Sequence, residues 1–122
     1  MQIKPCQMLI PLFFTAIFSV NANGAAPKNK AACEELGGRW GRVGIYPQEF
    51  CNLPTKDANK ICNDASECEG TCIAELSKDQ IEKTWRGGAT IYASGKCTAW
   101  KLTVGCKPVV RKGKVKGLLC QD

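Results

Sequence analysis

The stretch PTKDANKICNDASECEGTC, residues 54–72, decides the fold. It is rich in turn-forming residues and carries Cys62, Cys68 and Cys72. Asn, Asp, Ser, Gly and Pro favour turns through their own side-chain and backbone preferences. The segment is therefore expected to be irregular, with at most a brief helical turn, and to be held by bridges. The spacing argues against other cysteine chemistry. A thioredoxin-type redox site needs Cys-x-x-Cys, and Cys68-x3-Cys72 is one residue too long. All-cysteine zinc binding needs thiolates, which an oxidising compartment removes.

Outward from this stretch lie Cys33 and Cys51 on one side and Cys97, Cys106 and Cys120 on the other, with a ninth cysteine, Cys6, near the start. Residues 1–7 are a short basic lead containing Lys4, and residues 8–20, MLIPLFFTAIFSV, are almost wholly apolar. That run suits the core of a secretory signal and falls short of the ~20 residues a spanning helix needs. Pro11 inside it also disfavours a stable helix. A short buried core helix is the competing reading. Val20-Asn21-Ala22 directs cleavage to follow Ala22, with Gly24-Ala25-Ala26 as an alternative site. Residues 1–22 are thus expected to be a signal peptide, 23–32 a flexible lead-in, and 33–122 a disulfide-stapled domain. Cys6 would leave with the signal, and it is no lipid-attachment site because it precedes the apolar run. Eight cysteines remain, Cys33, Cys51, Cys62, Cys68, Cys72, Cys97, Cys106 and Cys120. An even count behind an export signal predicts four disulfides in a secreted or periplasmic protein without a transmembrane segment. Eight cysteines allow about a hundred pairings, so spacing alone leaves the connectivity open.

Local patterns predict an α+β fold, a small disulfide-rich domain with short helices and a small antiparallel sheet. AACEEL, residues 31–36, reads as a short helix stopped by Gly37-Gly38. RWGRVGI, 39–45, reads as a strand that turns through 46–49 into a second strand at 50–53. IAELSKDQIEKTWR, 73–86, is the best helix, with Ser77 and Gln80 spaced as a capping box and Ile81 and Trp85 as an apolar i,i+4 pair. Strands are expected at 89–93, at 96–106, and in a hairpin whose arms, 106–110 and 115–120, flank Arg111-Lys112-Gly113-Lys114. A register centred on Gly113 would set Cys106 opposite Cys120, although either could reach another layer instead. Trp40, Trp85, Trp100, Phe50, Tyr46 and Tyr92 are the expected large members of a thin core.

GGRWG, CNLPTKDANKICNDASECEGTC, GKCTAW and the closing LLCQD together resemble a loose group of small exported eight-cysteine bacterial proteins without assigned activity. The resemblance covers Cys33 to Asp122 and implies no catalytic or ligand-binding residue. Cys62-x5-Cys68-x3-Cys72 is also similar to stretches in knottin toxins, a similarity that arises wherever a chain turns tightly beside a bridge.

The chain has no histidine. That excludes Ser-His-Asp and Cys-His catalysis and histidine-containing zinc sites. Carboxylate pairs are the remaining catalytic option: Glu34 with Glu35, Glu67 with Glu69, and Glu75 with Asp79. Solvated surface charge is the stronger reading of each, since a raised pKa needs burial. Asp57, Asn59, Asn63 and Asp64 are too sparse for a calcium loop.

Charge is more informative. Residues 23–82 hold seven basic and ten acidic side chains, whereas residues 83–122 hold nine basic side chains and one acid, Asp122. Arg111, Lys112, Lys114 and Lys116 gather at the hairpin tip as a candidate anion-binding group. The plainer reading is a tip kept soluble by charge. The expectation is a small secreted or periplasmic binding module, acting by surface recognition without catalysis. No cofactor and no metal are expected. Its partner would be a protein or an anionic envelope component; nucleic acid is disfavoured by export. A cationic envelope-directed effector is the alternative, and a small carboxylate-dependent hydrolase the third reading.

Overall fold

The computed structural model describes residues 26–122. The expected signal peptide, Cys6 and the start of the lead-in lie outside the described residues. The elements run α1 (Lys30–Glu35), β1 (Arg39–Arg42), β2 (Glu49–Asn52), β3 (Ile61–Cys62), a 3-10 turn (Ala65–Glu67), β4 (Cys72–Ile73), α2 (Lys78–Trp85), β5 (Thr90–Tyr92), β6 (Gly95–Cys97), β7 (Gly105–Lys107), β8 (Lys114–Lys116) and β9 (Leu119–Gln121). The strands form four small antiparallel sheets, β1-β2, β3-β6-β4, β5-β8 and β7-β9. The fold is a small disulfide-rich α+β domain, with the strand content divided among several sheets.

Four bridges join Cys33 to Cys51, Cys62 to Cys72, Cys68 to Cys97 and Cys106 to Cys120. The first ties α1 to the β1-β2 hairpin. Asn29 caps α1 by accepting the Ala32 N–H at 2.8 Å, and Cys33 turns fully inward. The strand expected over 39–45 stops at Arg42, because residues 43–48 are taken up by the turn into β2. The middle two bridges interlace within β3, β4 and β6 and their surroundings. Gly95 is buried there, where a Cβ would meet the Ile73 carbonyl oxygen at 2.6 Å and the Cys72 sulfur at 2.9 Å. Only a residue without a side chain lets β6 lie between β3 and β4 this closely.

Two further expected elements change at their boundaries. The helix expected from residue 73 begins at Lys78: Ile73 is in β4 opposite Lys96, and the Ala74 N–H donates to the Pro108 carbonyl. The capping box at Ser77 and Gln80 then starts α2. The strand expected over 96–106 ends at Cys97. Its continuation lies along 53–55 instead, with the Thr55 N–H donating to Ala99 O and the Lys101 N–H to Leu53 O. The Asn52 side chain exchanges two hydrogen bonds with the Leu102 backbone, joining the first hairpin to the rest.

The C-terminal hairpin differs most. Arg111 and Lys114 exchange backbone hydrogen bonds, and Lys112 and Gly113 both take positive φ, 51° and 74°. That is a two-residue type I′ turn, which glycine accommodates without strain. At the base Cys106 faces Cys120 and Lys107 faces Leu119. Three residues separate Lys107 from Arg111, and four separate Lys114 from Leu119. The return arm therefore holds one extra residue, as in a β-bulge. Between base and tip the arms part. β8 pairs with β5, while Val109 bridges Ile73 and the Val110 N–H donates to Cys72 O. The continuous 106–110/115–120 ladder is thereby replaced, because Val110 and Val115 are both drawn fully into the core.

That core consists of Cys62, Cys72, Ala74, Cys97, Val110 and Val115. The expected aromatic core is not present. Tyr46, Trp85 and Tyr92 are exposed, at 56%, 58% and 79%, while Trp40, Phe50 and Trp100 are half-buried. Strands of two to four residues build no face wide enough to cover an indole, and disulfide sulfurs already occupy the middle.

Candidate functional site

Alternation along β8 sends Val115 inward and Lys114 and Lys116 outward. The turn adds Lys112 and its flanking Arg111. All four predicted cations line one groove of about 470 Å³. Its remaining wall includes Val109, Leu118 and Leu119. Tyr92 stands opposite Lys114 in the β5-β8 pair, and the ammonium lies 6.0 Å from the ring centroid.

The rest of the basic C-terminal third is partly neutralised in space. Lys83 pairs with Asp79 at 2.7 Å, Lys101 with Glu69 at 3.3 Å and Lys96 with Glu75 at 3.5 Å. Among the described residues, none of Arg111, Lys112, Lys114 and Lys116 forms a salt bridge.

The turn is fixed from beneath by Asp64, which the sequence offered only within a group too sparse for a calcium loop. Asp64 Oδ1 accepts the Lys112 N–H at 2.8 Å, and Oδ2 accepts both the backbone N–H and the hydroxyl of Ser66. The Gly113 N–H donates to Asn63 O at 2.7 Å. The Ser66 hydroxyl, then the Ser66 and Lys112 amides and the nearby Arg111 charge, hold the Asp64 carboxyl down at about 2. Asp64-x-Ser66 is an Asx-type turn signal, which locates the 3-10 turn but not the distant amide it also holds. From the other side, the Gly117 N–H donates to the buried Thr84 hydroxyl at 2.7 Å, fastening β8 to α2. The cations thus project from a docked turn.

The carboxylate pairs are engaged elsewhere. Glu34 lies 3.8 Å from Lys30, and Glu67 accepts the Asn63 N–H at 2.8 Å. Glu69 accepts the Lys56 N–H, and that bond holds its pKa below the usual carboxylate value. Glu75 and Asp79 pair with Lys96 and Lys83. All of these carboxylates, with Glu35, are exposed. The sulfurs of Cys62, Cys68 and Cys72 lie within 4.8 Å of one another, but each is consumed in a bridge. A disulfide sulfur lacks the thiolate charge that binds a metal. No described helix is long and apolar enough to cross a membrane.

Compared with known proteins, the chain matches no family model, no curated protein and no solved structure.

Proposed function

We propose that this chain is a small secreted or periplasmic binding module that recognises an anionic partner through Arg111, Lys112, Lys114 and Lys116, without catalysis. The carrying observation is four cations around one groove, none in a salt bridge among the described residues. Charges meant only for solubility are better dispersed, since like charges held together repel. A turn anchored by Asp64 reduces the ordering cost of binding. Four disulfides support an oxidising compartment.

The test is retention on an immobilised sulfated polysaccharide across a salt gradient. Exposed charges are screened within about 8–10 Å at physiological ionic strength, so retention should fall steeply with salt. A variant with Arg111, Lys112, Lys114 and Lys116 all changed to Gln should elute early with an unchanged melting temperature. A control with Lys28, Lys60, Lys78 and Arg86 changed to Gln loses the same charge elsewhere and should elute close to wild type. Equal elution of the two variants would mean that net charge, and not the groove, governs retention.

A further inference from the structure

The groove has a wall that a purely ionic ligand leaves unused. Val109, Leu118 and Leu119 line it beside the four cations, and Leu119 keeps 40% of its surface exposed. Tyr92 lies on the outer face of the adjoining β5-β8 pair, 79% exposed and next to Lys114. Cations, an apolar strip and a solvent-facing phenol therefore share one side of the molecule. A hydrated polyanion, whether glycan or nucleic acid, satisfies the cations and leaves the leucines in water. A lipid surface satisfies both. Anionic headgroups attract Lys and Arg, with each cation near the surface contributing about a factor of five. Aliphatic side chains gain by leaving water for the acyl boundary, and tyrosine favours the headgroup level because its ring is apolar and its hydroxyl polar.

We propose that the Arg111–Lys116 hairpin is a peripheral membrane-docking element. The four cations engage anionic phospholipid headgroups, while Leu118, Leu119 and Tyr92 enter the interface. This rests on the anion-binding reading of the same groove and narrows the partner to a lipid surface. Association is reversible, because four cations and a short apolar strip fall well short of an inserted helix.

Co-sedimentation with vesicles tests it, using the disulfide-bonded protein, phosphatidylcholine vesicles with and without about a third phosphatidylglycerol, and a soluble sulfated polysaccharide in parallel. The protein should bind the anionic vesicles, be released by salt, and leave pure phosphatidylcholine unbound. Replacing the four cations by Gln should lower vesicle affinity about a hundredfold or more. Leu119→Ser should lower it about three- to tenfold while polysaccharide retention stays unchanged, and Tyr92→Ser should act in the same direction. Both residues are already exposed, so melting temperatures close to wild type would confirm folded variants. Polysaccharide binding without vesicle binding would overturn the membrane proposal and leave the anion groove standing. Vesicle binding indifferent to both Leu119→Ser and Tyr92→Ser would also overturn it, because the apolar strip would then have no part. Failure to bind either probe would overturn both readings.

Discussion

The interlaced bridges in the middle of the chain and the single bridge at its C-terminal end do different physical jobs. Cys62, Cys72 and Cys97 are buried, and the sulfurs of the two middle bridges stand where a larger domain would place leucines. Cys106 and Cys120 face each other across β7 and β9, in which every residue is exposed. The inner pair is both cross-link and core. The outer one is a cross-link only, closing the base of a hairpin whose tip is held separately by Asp64 and Thr84. Bridges of equal chemistry therefore differ in cost of removal, because one kind also fills space.

The largest expected effect follows from breaking the inner group. Changing Cys62 and Cys72 together to Ser removes a bridge, a contribution of roughly 2–5 kcal/mol in a small secreted domain. It also leaves two buried hydroxyls, each costing about 1–3 kcal/mol where no partner is found. Net stabilities of ordinary domains are ~5–15 kcal/mol, so this variant should lack a cooperative urea transition. A retained transition with a similar midpoint would mean that Val110, Val115 and Ala74 carry the core without the sulfurs.

Breaking the outer bridge should be milder. Changing Cys106 and Cys120 to Ser frees a loop of 14 residues' separation, for which chain entropy gives a loss of about 3 kcal/mol. Exposed serines add no desolvation cost. The domain should still unfold cooperatively, with faster amide exchange confined to 105–107 and 119–121. Access argues the same way for the wild type, since a thiolate must reach the sulfur it attacks. Graded reductant followed by alkylation should label Cys106 and Cys120 first. Earlier labelling of Cys62 or Cys72 would break the distinction between the two regions.

The same contrast explains what was legible in the sequence. Short-range signals were readable because their physics is local: the capping box at Ser77 and Gln80, the helix around Cys33, and the hairpin turn near Gly113. The Cys106–Cys120 pairing was suggested by symmetry about Gly113, yet the turn is centred between Lys112 and Gly113. The extra residue in the return arm restores the pairing. The four cations of the groove were legible as a cluster because they are neighbours in sequence. Its apolar wall was not, nor was Asp64 beneath the turn, 48 residues from Lys112. The other three pairings were equally hidden, since they join segments whose approach depends on the whole fold. The aromatic core failed for a related reason. Residue type gave the capacity for burial, but elements this short offered no surface broad enough to use it.

The smallest expected effect separates the regions by pH. Bridges do not titrate near neutrality, but the tip is held by a carboxylate. Asp64 sits at about 2 against an ordinary 3.8, so its charged form is favoured in the folded state. A depressed pKa stabilises above the ordinary value and loses that contribution as pH falls through the folded value. The tether should be intact from neutral pH down to about 4 and released as pH approaches about 2. The amide resonances of Ser66 and Lys112, which donate to Asp64, should titrate together with a midpoint near 2, while those of Cys72 and Gly95 stay fixed. Asp64→Asn keeps an acceptor oxygen but removes the charge. It should abolish this titration, quicken exchange at Lys112, and leave the thermal midpoint almost unchanged because the middle of the molecule is untouched. A wild-type midpoint near 3.8 would show that the carboxylate is not held by these donors. Parallel movement of the Cys72 and Gly95 resonances would show that tip and interior respond as one unit.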